Sequence, residues 1–187
     1  MQAPASTSGA TEPATSTALL PALSLRIVRL LENALVVGVG HTPSVRLTQP
    51  RELAYGSAEG LTLTLVGVHT LATGRNAPPR ADPTGTAAAP LVVEAHYLLT
   101  AWANQAALQQ WMLAAALRQL HQHPVIAAAE LTHPYSAGAD LGVDAGSTCR
   151  LTITNLSLEQ ATALSTALAA PALPPSLYVT AGPIEIR

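Results

Sequence analysis

Three pairs of residues have the types and spacing that chemistry requires. His121 and His123 stand two apart at the end of a helical stretch, directly before Pro124. Imidazoles at that spacing could share a metal, but catalytic zinc takes three protein ligands, and no carboxylate or cysteine lies close by in sequence. The same position favours a plain role, because a cationic side chain at a helix C-terminus complements the helix dipole. Glu94 and His96 share one face of a strand-like stretch, a geometry suited to general acid–base work, or simply to hydrogen bonding across a sheet. Cys149 is the single cysteine and precedes Arg150, whose charge could lower a thiol pKa. An isolated strand cysteine otherwise acts as a small apolar filler.

Other chemistries lack their residues. Gly38-Val39-Gly40 follows a helix and precedes Pro43, so it lacks the strand-to-helix context of dinucleotide binding. No serine sits in a nucleophile-elbow pattern. All nine basic residues are arginine, which leaves no lysine for Schiff-base or phosphate-lysine chemistry. Trp102 and Trp111 flank a strand–helix junction and read as core anchors in preference to a platform for stacked bases.

The elements that must position these residues follow from hydropathic periodicity. Leu20, Leu23, Ile27, Leu30, Leu31 and Leu35 form one helical stripe, stopped by Gly38, Gly40 and Pro43. Val45 to Leu47 is a short strand. Leu61-Thr62-Leu63-Thr64-Leu65-Val66 alternates strictly and predicts a half-buried strand continuing to about Leu71. Thr73 to Pro90, rich in proline and glycine, predicts a long irregular loop. Leu91 to Trp102 is the clearest strand, with Leu91, Val93, Ala95, Tyr97 and Leu99 on one face and Val92, Glu94, His96, Leu98 and Thr100 on the other. A helix follows from Gln105 to His121, with Leu108, Trp111, Met112, Ala115 and Leu120 inward. Turn residues dominate Ala127 to Ser147, and Arg150 to Thr154 alternates again. Ser157 and Gln160 fit a capping box that opens a helix to Leu168, and Leu177 to Arg187 is a last strand bent at Gly182-Pro183. The expectation is an α+β single domain, a mixed sheet of four to five strands covered by about three helices. Residues 1–16 read as a disordered arm, and 17–187 as the domain.

Composition narrows the function classes. The chain has 187 residues, 49% of them hydrophobic and only 11% charged, against about 25% in an ordinary soluble domain. Nine arginines against eleven acids give no electrostatic footprint for nucleic acid. One cysteine excludes an internal disulfide framework. No apolar run reaches a membrane span of ~18 residues, since Arg26, Arg29 and Glu32 interrupt Leu19 to Gly40. The simplest reading is a chain made and folded in a cytoplasm.

The order of several patterns then resembles a known family. Arg75-Asn76, Pro78-Pro79-Arg80, Gly85, Pro90-Leu91 and His96-Tyr97-Leu98-Leu99-Thr100 come first, followed by the stretch Leu117 to Ile126, then Leu156 to Gln160 and Leu177-Tyr178-Val179. Together they are similar to the tail-terminator, or cap, proteins of phage-tail-like contractile injection systems. The resemblance spans residues 16–187, and Thr132 to Gly146 departs from it. It implies a non-enzymatic structural protein without a cofactor, a homo-hexamer that ends the inner tube and the sheath distal to the baseplate. The implied partners are the inner tube protein and the sheath protein, with no nucleic acid and with a membrane or adaptor partner left open; assembly would be cytoplasmic, within a contractile particle. Expected assembly contacts are Arg75, Asn76, Arg80, Glu94, His96, Thr100, Tyr178, Ile184 and Ile186. The alternative is a small oligomeric enzyme or metal-binding module using Glu94, His96, His121 and His123.

Overall fold

A computed structural model describes residues 18–36, 43–49, 59–72, 80–81, 87–88, 91–132, 141–143, 146–168 and 174–186. The expected arm at 1–16 and the Gly38–Gly40 stop therefore lie outside the described residues. Among the described residues, eight strands and three α-helices follow one another: α1 (Leu19–Leu35), β1 (Ser44–Thr48), β2 (Gly60–Thr70), β3 (Arg80–Ala81), β4 (Ala87–Ala88), β5 (Leu91–Trp102), α2 (Ala106–Gln122), β6 (Val125–Ala127), β7 (Thr148–Thr154), α3 (Leu158–Ala167) and β8 (Ser176–Ile186). Six strands make one mixed sheet in the order β1-β2-β5-β8-β7-β6, in which only the β1–β2 pair is parallel. The fold is the expected α+β domain with one strand more than the expected upper count.

That extra strand is β6. It is three residues long and pairs Val125, Ile126 and Ala127 with Arg150, Cys149 and Thr148. Three residues show no alternation, so only the pairing makes it a strand. Within the predicted irregular loop, β3 and β4 pair as a separate two-stranded piece, Arg80 with Ala88 and Ala81 with Ala87.

The inward face of the sheet carries Leu61, Leu63, Val93, Ala95, Tyr97, Leu99, Leu151 and Val179, all buried against the stripe of α1 and the inner face of α2. Neither helix has a side-chain cap at its N-terminus. Packing of the apolar face is what holds them, as it is for most helices in proteins. One polar bridge crosses this core: Ser24 Oγ lies 3.0 Å from the Tyr97 hydroxyl and also donates to the Leu20 carbonyl at 2.8 Å. Burial pushes the Tyr97 phenol up to about 12, so it stays protonated. The second side of α1 is covered by Leu131, Leu141 and Val143, and Arg26 pairs there with Glu130.

The opposite face is threonine-rich and only partly covered. Leu164 and Leu168, from α3 and its end, pack with Val66, Leu98 and Trp102. The predicted half-buried strand is thus buried on both sides at its start, with Thr62 and Thr64 almost inaccessible. Their hydroxyls are satisfied, Thr62 Oγ1 accepting from Trp102 Nε1 at 3.0 Å and Thr64 Oγ1 lying 2.7 Å from Thr48 Oγ1. Such bonds are what allow polar groups under cover. The Ser157–Gln160 capping box forms as expected, with Gln160 N donating to Ser157 Oγ at 3.2 Å and Ser157 N donating to Gln160 Oε1 at 3.0 Å.

Two irregularities set the register. The β2–β5 ladder slips between Leu65 and Gly67, and the β5–β8 ladder between Val93 and Ala95. The second places Gly182 against Glu94, where a Cβ would come 2.6 Å from Glu94 Cγ. Gly60 sits at φ +155°, and a Cβ there would run into the Ser44 carbonyl oxygen. Both positions need glycine for close approach.

Candidate functional site

The β2 slip decides what the outer face carries. Up to Leu65 the odd-numbered residues face the main core, opposite Ala101, Leu99 and Tyr97. Past the bulge at Val66 the alternation inverts, so Gly67 meets His96 and His69 meets Glu94. β8 brings Tyr178 beside Leu98, on the same face. The result is a cluster of His69, Glu94, His96 and Tyr178 drawn from three strands.

Its geometry is specific. The Tyr178 hydroxyl lies 2.9 Å from His96 Nδ1, and the rings of His69 and His96 are 4.3 Å apart between centroids. His96 Nε2 is buried without a hydrogen-bond partner, 4.0 Å from Glu94 Oε2. Burial lowers the His96 pKa and the His69 charge lowers it further, with Glu94 opposing. His96 is therefore neutral at pH 7. At 4.0 Å its Nε2 is beyond hydrogen-bond reach of the carboxylate, so the expected acid–base pair is adjacent but not bonded.

A cleft of about 360 Å³ opens on the same side, between α3 and strands β7 and β8. It is lined mainly by Leu98, Ile153, Leu156, Ala161, Leu164 and Tyr178. Tyr178 joins cleft and cluster, whereas His69, Glu94 and His96 do not line the cleft. Thr154, Asn155 and Ser176 add polar groups to its wall, and Tyr178 is the one titratable side chain among its lining residues.

The remaining candidates are dispersed. His121 and His123 are exposed at the end of α2, with His123 Nδ1 3.3 Å from the Gln119 carbonyl oxygen. That is a helix-end contact. Among the described residues no group of three or more His, Cys, Asp or Glu side chains is placed to hold a metal ion. The Cys149 thiol is buried, and burial pushes its pKa up to about 12; desolvation outweighs any help from Arg150, so the thiol is a core filler.

Of the expected assembly contacts, Arg75 and Asn76 lie outside the described residues, and of Arg80 the backbone alone is described, in β3. Thr100 is fully buried and accepts from Ser176 Oγ at 3.0 Å. Ile184 belongs to the main core and Ile186 packs against it. Neither Thr100 nor Ile184 presents its side chain at the surface of the single chain. Glu94, His96 and Tyr178 are part-exposed. β8 pairs with β5 on one side and, at Tyr178 to Gly182, with β7 on the other. Among the described residues its two ends, Ser176–Leu177 and Pro183 onward, have no β7 partner. Trp102 anchors the smaller cluster, as its type suggests. Trp111 does not anchor the core; it is 36% exposed on the outer side of α2.

The sequence reading missed His69. Simple alternation from Leu61 assigns it to the core face, and only the bulge turns it outward.

A family model described as the Pvc16 N-terminal domain matches residues 17–187. None of the curated proteins compared matches the chain. Among solved structures, the PVC sheath/tube terminator of an extracellular contractile injection system, in its extended state, superposes with a TM-score of 0.54 at 14% identity. The match covers 87% of this chain and 55% of that one, so the chain spans about half the length of the structure it resembles.

Proposed function

The chain belongs to the Pvc16 N-terminal domain family, and from that premise we propose that it is a structural terminator of a contractile injection particle. In this role it forms a hexameric ring on the end of the inner tube and sheath distal to the baseplate, and stops their growth. The observation that carries the reading is the family match over 17–187, joined to the shared fold with a sheath/tube terminator. No helix of the described residues is long and apolar enough to cross a membrane.

The physical logic is one of closure. A growing tube presents strand edges and apolar surface that recruit the next ring. A cap binds that surface and offers none like it on its far side, and a head-to-tail contact whose rotation closes makes the cap a finite ring. Sparse charge suits a subunit whose surface is shared among neighbours, because charge is depleted at interface cores. The 75–90 segment, the β8 end and the Glu94–His96–Tyr178 cluster are the regions assigned to such contacts.

The test is particle length. Cells that make the particle without this chain should yield tubes and sheaths of uncontrolled length, and a variant lacking Ala77 to Ala87 should fold yet fail to restore the normal length. Normal particles without the chain would overturn the role; normal particles with the deletion would overturn the loop's part in it.

A further inference from the structure

The end of β2 is held differently from its start. Gly60 to Thr64 lie between β1 and β5, and Leu61 and Leu63 are buried in the core. Past the bulge at Val66, Gly67 to Thr70 pair with β5 alone among the described residues, and Leu71 N adds a bond to the Val92 carbonyl at 2.8 Å. Val68, His69 and Thr70 are all exposed, so neither side of this half-strand adds to the core. Besides the ladder, the ring of His69 lies against that of His96, with centroids 4.3 Å apart. His96 Nδ1 meets the Tyr178 hydroxyl at 2.9 Å, while Nε2 is buried without a hydrogen-bond partner. In either tautomer, Nε2 is left unsatisfied while β2 stays in place.

We propose that Gly67 to Leu71 form a latch on the edge of β5, closed while His69 and His96 are neutral and released when acid charges them. Closure sets two imidazoles side by side, and two cations at that spacing repel. It also keeps His96 Nε2 from water, so opening relieves both costs. The groups facing His96 are His69 from β2, Glu94 on its own strand, with Oε2 4.0 Å from Nε2, and Tyr178 from β8. Further out on β7, Arg150 stands opposite Gly182, which abuts Glu94. The Glu94 charge opposes release, but burial and His69 outweigh it and hold the His96 pKa down. Burial raises the Tyr178 pKa, so its phenol stays neutral throughout. A histidine whose pKa is lower in the closed state favours closure above the open value of about 6.5. That preference is lost as pH falls below the open value toward the closed one. Release stays local, because the start of β2 is flanked on both edges and buried, and elements with few buried contacts open first. It bares the edge of β5 from Val92 to His96.

The latch lies within one chain and does not depend on the ring. It is tested by amide hydrogen exchange of the full chain from pH 8 to pH 5, expressed as protection so that the intrinsic pH dependence of exchange cancels. Protection over Gly67 to Leu71 should fall about tenfold or more, while that over Leu61 to Leu65 holds. His96→Gln should abolish most of the fall and His69→Gln part of it. Glu94→Gln should deepen it, because the charge that opposes release is gone. If His96→Gln does not fold, His69→Gln, at an exposed position, carries the test. Protection that stays constant across the range, or a fall shared equally by Leu61 to Leu65, would overturn the latch. So would a fall of parental size in His69→Gln, or a shallower one in Glu94→Gln.

Discussion

The two faces of the sheet are made differently. The face under α1 and α2 is dry and aliphatic, with Leu19, Leu23, Ile27, Leu31, Leu61, Leu63 and Leu99 all 1% exposed or less. The face under α3 carries threonines, two histidines, a glutamate and a tyrosine, and its helix contributes no fully buried residue within its span. The first face has what a single chain needs to fold. The second is stabilised by fewer contacts and retains an open cleft. Elements held by few buried contacts open most readily.

The contrast can be broken most sharply in the core. Leu31→Ala or Leu63→Ala should cost ~2–5 kcal/mol in denaturant unfolding. Leu164→Ala on the other face should cost well under half as much; equal losses would erase the distinction between the faces. Next comes the polar bridge. Ser24→Ala leaves the buried Tyr97 hydroxyl without its partner and should cost about 1–3 kcal/mol, whereas Ser24→Ala with Tyr97→Phe should recover most of that loss. Without recovery in a double-mutant cycle, the bridge is not the source of the loss.

The cap of α3 ranks third. Ser157→Ala should destabilise that helix by ~0.5–2 kcal/mol, seen as faster hydrogen exchange across Leu158 to Ala167 with α1 unchanged. If α1 exchanges faster too, the two faces open as one unit.

The smallest effect is a pH dependence. His96 faces His69, Glu94 and Tyr178, and its folded pKa is depressed. The folded state thus favours neutral His96, and this stabilisation is present above the unfolded histidine value of about 6.5. It is lost as pH falls below that value toward the lower folded one, because the unfolded chain takes up the proton first. Thermal melts from pH 8 to pH 5 should fall less steeply for His96→Gln than for the parent. Identical slopes would remove His96 from the account.

Much of this was legible in the sequence wherever periodicity is local. The stripe of α1, the alternation of β5 and the Ser157–Gln160 box each announce themselves over a few residues. What escaped the reading depends on partners far along the chain. The three residues of β6 have no pattern of their own and become a strand only through Thr148, Cys149 and Arg150. Thr62 and Thr64 look solvent-facing by type, and only their burial and their bonds to Trp102 and Thr48 show otherwise. His69 joins the cluster because one bulge inverts the alternation behind Leu65. Trp111 looks like core by composition, yet the α2 residues fully buried in the main core are smaller or more flexible ones, Met112 and Ala116. The fold was therefore readable, and the outer surfaces much less so, since an apolar residue such as Trp111 has the same type whether it ends up exposed or in the core.

The terminator role itself is tested most directly by cryo-electron microscopy of inner tubes grown with and without the purified chain. The expected image is a single sixfold disc at one end of each tube, with growth halted there. Tubes that lengthen unchecked, or chain bound along their length with no end disc, would contradict the account.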